Sequence, residues 1–336
     1  MDALNRHAMH APQESTWIAK NFKFHTGEIF KELPLGFITL GDPSGIPVLI
    51  LHGTTGSARA ILAQAFGGAL FGPGQPLDSN HYFVVIPDAL GSNQSSKPSD
   101  GLRMQYPQYN YQDMVHAQYQ LVKNGLGIDH LRLVLGNSMG GMHAWLWGIY
   151  YPDFMDALVP MAATPAAMSG RNWMMRRLII DSIQHDPLWM DGNYHQQPPS
   201  VQFASTFYSI ATNGGVQNIQ SLAPTANAAD AYLDKLLHTP VSADANDLLY
   251  LWQASRDYDP APFLEKIQAR VLAITSQDDE RNPPELGLLQ SHLSQIPHAQ
   301  WHLIPASTHT CGHNTTGHAI WWADALDTFL NGNFPR

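Results

Sequence analysis

The chain has 336 residues, 44% of them hydrophobic and 14% charged, with 26 Gly and 24 Pro. That apolar share excludes a disordered polypeptide and fits either two domains or one large α/β domain carrying an insertion. The 18 Lys and Arg against 28 Asp and Glu give a formal charge of −10, with no basic stripe of the kind that displaces counterions from phosphates, so nucleic-acid binding is excluded.

Short apolar runs bounded by turn residues predict strands at 47–51 (PVLIL), 82–86 (YFVVI), 131–135 (LRLVL), 157–161 (ALVPM) and 271–275 (VLAIT), with a last, more amphipathic one at 301–305 (WHLIP). Continuous Val, Ile and Leu, in place of alternation, marks strands covered on both faces. Helical spacing falls between and after them, at 111–124 and 317–330, so the expected fold is α/β: a mostly parallel sheet flanked by helices. Residues 28–41 are placed to add an antiparallel edge pair. Between about 164 and 259 the rhythm breaks. Segments such as RNWMMRRLIIDSI, NAADAYLDKLL and ANDLLYLWQA are helical in pattern, and no buried strand interrupts them. The expected organisation is therefore a core from 1–163, a helical insertion from 164–259 acting as a lid over the carboxyl end of the sheet, and a core from 260–336.

Gly136-Asn137-Ser138-Met139-Gly140 follows the strand LRLVL and precedes the helical stretch MGGMHAWLWGIY. A serine on so sharp a strand-to-helix turn is forced into a strained backbone conformation, and residues two positions away must be small for the turn to close. The turn exposes Oγ and aims the start of a helix at it, so the Met139 amide is placed to stabilise an oxyanion. Ser138 is the expected nucleophile. An alcohol needs a base and the base an orienting acid, in the chain order Ser, acid, His for a serine on such an elbow. After VLAIT, Asp278 and Asp279 compete for the acid. Asp279, four positions before Pro283, is preferred, with Asp278 capping the turn. Of the 17 histidines, His309, His313 and His318 lie after the last strand. His313, behind Gly312 in the turn-rich THTCGHNTTGH, is the expected base; His318 is expected on the final helix. The second oxyanion donor is expected at the Thr54 N–H, in His52-Gly53-Thr54-Thr55-Gly56 after PVLIL. His52 is read as a loop brace.

These residues together resemble the α/β-hydrolase superfamily over nearly the whole chain: strand–HGTTG, strand–PDALG, the GNSMG elbow, an acid before NPP and a late GH. Within it the chain is similar to homoserine O-acetyltransferase-like proteins, through GNSMGGMHAWLWGIYYPDFMDALVPMAA, SGRNWMMRRLIIDSIQHDPLWMDGNY and ITSQDDERNPPE. The resemblance implies an acyl-enzyme on Ser138, with His313 shuttling the proton and Asp279 holding the imidazole. It also implies an arginine in an early lid segment that holds the carboxylate of an amino-acid acceptor. The corresponding stretch here, FASTFYSI at 203–210, has none, and no arginine occurs between Arg177 and Arg256. Loss of such a charge-assisted contact is worth roughly 1.5–3 kcal/mol.

The expected activity is therefore hydrolysis of an ester or thioester, with acyl-CoA-dependent O-acyl transfer as the alternative. Weak substrate-binding candidates are Arg171, Trp173, Phe207 and Tyr208, in an apolar and aromatic lid that suits an uncharged acyl group. Arg176 and Arg177 are read, with Arg171, as solvated residues or as a site for a substrate anion. No cofactor is expected, and no metal, since Cys311 is the single cysteine and no HExxH pattern occurs. No run of about 18 apolar residues is present to span a bilayer. The opening twenty residues lack the apolar core of a secretory signal, so a cytoplasmic location is expected, with homodimerisation a further expectation.

Overall fold

The computed structural model describes residues 10–332. Eight strands form one sheet: β1 (Gln13–Lys23), β2 (Ile29–Leu40), β3 (Ile46–Leu51), β4 (Tyr82–Pro87), β5 (Leu133–Asn137), β6 (Ala157–Met161), β7 (Arg270–Ser276) and β8 (Ala299–Ile304). Their spatial order is β1-β2-β4-β3-β5-β6-β7-β8, antiparallel for the first two pairings and parallel from β4 to β8. Ten α-helices accompany them among the described residues: α1 (Ala58–Ile61), α2 (Tyr111–Gln120), α3 (Met139–Tyr150), α4 (Gly170–Gln184), α5 (Pro199–Thr212), α6 (Val216–Leu222), α7 (Ala226–His238), α8 (Ala245–Gln253), α9 (Leu288–Leu293) and α10 (Ala323–Asn331). Helices α4 to α8 all fall between β6 and β7. No helix among the described residues is long and apolar enough to cross a membrane.

The continuous apolar strands β3 to β7 are covered on both faces, as their composition predicts, whereas β8 at the sheet edge buries only Ile304. In β5, Val134 enters one hydrophobic cluster with α2, α3 and α8, whereas Leu133 and Leu135 enter the other with α1 and α10. Period-two alternation sorts one apolar run into two cores. Several boundaries differ from the sequence expectation. Strand β5 begins two residues later, because Leu131 makes only an isolated bridge to Met155. The edge pair is real, but the partner of β2 is β1, whose mostly exposed residues (QESTWIAKNFK) bury only Ala19 and Phe22 and leave little hydrophobic signal. The final helix starts at Ala323, so His318 precedes it in extended backbone.

The parallel strands point their carboxyl ends in one direction, and the β5–α3 turn sits there. Ser138 has φ 55° and ψ −113°. A Cβ on Gly136 would lie 2.0 Å from the Gly140 carbonyl oxygen, and one on Gly140 would lie 2.2 Å from the Leu51 carbonyl oxygen. Helix α3 is therefore packed backbone-to-backbone against β3 and β5. Neither neighbour can give way, because both are main chain in a buried sheet. Gly140→Ala is expected to lower the melting temperature by about 3 °C, as overpacking of about 2 kcal/mol implies for a chain of this size; thermal denaturation followed by circular dichroism measures it.

Candidate active site

Ser138, Asp279 and His313 come from three separate parts of the chain and meet at the carboxyl end of the sheet. The Ser138 hydroxyl donates to His313 Nε2 at 2.9 Å. His313 Nδ1 lies 2.9 and 3.0 Å from the two oxygens of Asp279. A carboxylate can only accept there, so the proton sits on Nδ1 and Nε2 keeps its lone pair for the hydroxyl. All three residues are buried, with exposures of 5%, 1% and 3% in the order Ser138, Asp279, His313.

Asp279 stays ionised despite burial. Desolvation alone would raise its pKa, but the charge and hydrogen bond of His313 and the amides of Asn282 and Arg281 outweigh it, and the net shift is downward. Those amides donate at 3.0 and 2.8 Å. His313 is shifted below its ordinary value of 6.5, chiefly because burial penalises the imidazolium; Asp279 opposes this, while Arg281 and Arg176 add to it.

Asp278, the rival acid, faces another way. It accepts from the Ser276 hydroxyl, from Thr310 Oγ1 at 2.7 Å and from the Gly312 amide at 3.3 Å, bracing the loop that carries His313. Among the rival histidines, His309 is exposed and His318 Nδ1 lies against the Asn314 carbonyl at 3.2 Å. His313 does not ride on an open loop; it occupies a buried 3-10 turn, Gly312–Gly317.

A cavity of about 380 Å³ opens beside the hydroxyl, lined in part by Gly53, Thr54, Ser138, Tyr208, Arg281 and His313. The Gly53 backbone comes so close that a Cβ there would sit 3.5 Å from Ser138 Cβ. The Thr54 and Met139 amides have no acceptor among the described residues, and Met139 opens α3, where a first-turn N–H has no helical partner. His52 braces this loop, its Nδ1 against the Gly53 carbonyl at 2.7 Å and its Nε2 receiving the Ala89 amide at 2.9 Å.

Of the weaker substrate candidates, Tyr208 lines this cavity. Arg171 lines a neighbouring cavity of about 540 Å³ behind the acid loop. Trp173 lies in a third, under the Arg256 guanidinium, and Phe207 is half exposed, stacked on Phe203. Arg177 is exposed and paired with Asp181. Arg176 is not solvated: it is fully buried, held by Asn172, Tyr111 and Ser255, with Nη2 unpartnered. Sequence reading missed Arg281. Its guanidinium lies 4.5 Å over the Tyr208 ring and bonds Thr212 and Asn213. Only its place two residues after the acid could have pointed to it. No group of three or more His, Cys, Asp or Glu among the described residues is placed to hold a metal ion.

Because Nε2 must be unprotonated to accept from Ser138, any activity of this dyad is lost as pH falls through the His313 pKa. With that pKa lowered, the acidic limb of kcat/KM is expected below pH 6.5 and a plateau above it; a pH–rate profile checks this.

A sequence profile of the α/β-hydrolase fold matches residues 46–311. A probable acyltransferase of Methanothermobacter thermautotrophicus is 27% identical over 94% of this chain and 96% of its own length. A homoserine O-acetyltransferase of Pelobacter propionicus is 32% identical over 74% of this chain and 75% of its own. Some homoserine O-acetyltransferases, such as that of Methanohalophilus mahii, are matched over less than two thirds of their length, 39% in that case. Among solved structures, homoserine O-acetyltransferase from Bacillus anthracis superimposes with a TM-score of 0.83 at 22% identity, covering 97% of this chain and 100% of that one. Esterase E22 gives 0.81 at 21%, covering 96% and 100%. The chain belongs to the α/β-hydrolase superfamily, in its homoserine O-acetyltransferase-like group.

Proposed function

We propose that this protein is a serine hydrolase that cleaves an ester or thioester through an acyl-enzyme intermediate. The observation that carries the reading is the 2.9 Å contact from Ser138 Oγ to His313 Nε2, with the imidazole backed by buried Asp279. Ser138 Oγ attacks the carbonyl carbon as its proton passes to Nε2. The oxyanion is met by the amides of Thr54 and Met139, fixed before the reaction begins and so costing little reorganisation. Collapse breaks the bond to the leaving alkoxide or thiolate, which takes the proton from His313. Water then repeats the sequence on the acyl-serine and releases the acid. In this reading the helical block at 164–259 is the lid: Ser205, Tyr208 and Trp252 from it close the cavity above Ser138.

One observation favours the second reading, transfer of the acyl group to an alcohol acceptor that carries a carboxylate. The stretch 203–210 has no arginine, yet Arg281 reaches the same cavity from the acid loop. No Asp or Glu lines that cavity among the described residues, and Arg281 Nη1 has no acceptor there. A planar guanidinium fork suits a carboxylate. The relatives described as acyltransferases support this reading as well.

Ser138→Ala is expected to abolish ester turnover and leave the thermal midpoint within about 2 °C, since a single hydroxyl on a turn contributes little to stability. Asp279→Asn should cost far more activity than Asp278→Asn; equal losses would assign the acid wrongly. Incubation with acetyl-CoA, with and without homoserine, separates the two reactions. Thiol release unaffected by homoserine supports hydrolysis, and homoserine-dependent O-acetylhomoserine supports transfer.

A further inference from the structure

In the loop after β7, Asp278, Asp279 and Glu280 all bond the segment around His313, and Glu280 bonds a second, distant segment at the same time. Its Oε1 accepts the Gly215 amide at 2.8 Å and its Oε2 accepts the His313 amide at 2.9 Å. Gly215 belongs to the Gly214-Gly215 joint between α5 and α6, where both residues have positive φ, 107° and 71°. Gly312, beside His313, also has positive φ, 56°, and a Cβ there would fall 2.2 Å from Glu280 Oε2. A Cβ on Gly215 would fall 2.5 Å from Asp278 Oδ2. Both backbones are thus pressed directly onto carboxylates, with no room for a side chain between. The two segments also touch each other, the Gly214 amide donating to the Cys311 carbonyl at 3.0 Å. Arg281 adds a grip on Thr212 and Asn213 just before the joint.

We propose that Glu280 is a positioning residue that ties the joint of the helical lid to the backbone of His313, so that lid placement and imidazole placement are set by one carboxylate. The inference rests on the Ser138–His313 reading for its chemical consequence. It goes beyond that reading in naming what holds the imidazole in register. A carboxylate is needed because two N–H groups converge on it from opposite sides, and each oxygen can only accept. Glutamine keeps the shape but presents one amide N–H₂ to a facing N–H, so one grip is lost. Charge alone is not enough, because both oxygens must reach.

The test uses the full chain and two independent readouts. One is the rate at which a fluorophosphonate labels Ser138, together with kcat on a p-nitrophenyl ester; the other is amide hydrogen exchange over residues 212–216 and 311–314. In Glu280→Gln, labelling and kcat are expected to fall about ten- to hundredfold, the range for losing a hydrogen bond to a charged group, with the thermal midpoint lowered by no more than about 4 °C. Exchange in both segments should rise together. Glu280→Asp keeps the charge on a stem one carbon shorter, reaches one amide only, and should lose rate similarly; it carries both readouts if the glutamine variant does not fold. Labelling and kcat at the wild-type level, or exchange rising in one segment alone, would overturn the tie. Failure of the wild-type protein to be labelled would refute the serine reading instead, while correlated exchange would still report on Glu280.

Discussion

The backbone at Ser138 is held at φ 55° and ψ −113° because β5 and α3 meet with main chain against main chain. That contact sets where the hydroxyl stands, at the carboxyl end of the sheet and at the start of a helix. Strain of this kind costs of order 1–3 kcal/mol and persists only where the surroundings over-determine it. Here they do: the Ser138 amide donates to Met161 on β6, and the Gly140 backbone abuts Leu51 on β3. Everything else in the proposed chemistry is arranged around a fixed hydroxyl.

The loop from 278 to 282 does the arranging. Asp278 braces the loop before His313, Asp279 holds the imidazole, Glu280 holds the His313 amide, Arg281 holds the end of α5, and Asn282 donates to the Ala162 carbonyl beyond β6. Three successive acidic residues would repel one another in an isolated peptide. In the fold each carboxylate is surrounded by donors, so the charges are satisfied separately. Glu280 still pays for its burial: desolvation and the nearby charge of Asp279 raise its pKa, against the amides of His313 and Gly215.

Much of the core was legible because apolar runs between turn residues read directly as two-sided strands, and the spacing GNSMG announces a strained elbow. Strand β1 was not, since an exposed edge strand is held by its ladder to β2 and carries little apolar pattern. Arg176 illustrates the opposite failure. By composition it is a surface residue, yet beside Asn172 one helical turn away on α4 its guanidinium lies 5.1 Å over the Trp252 ring and bonds Ser255, 76 and 79 residues on, which the helix pattern of α4 does not disclose.

The sequence by itself determined the buried parallel strands, the elbow and the residue types available for the site, because these follow from local periodicity and from sterics within a few positions. Only the tertiary structure decided which of several histidines faces Ser138, which of two adjacent aspartates backs it, and that a cation reaches the cavity from the acid loop. Such choices depend on distances between segments 32 to 175 residues apart, and no local pattern encodes the directions in which those segments point.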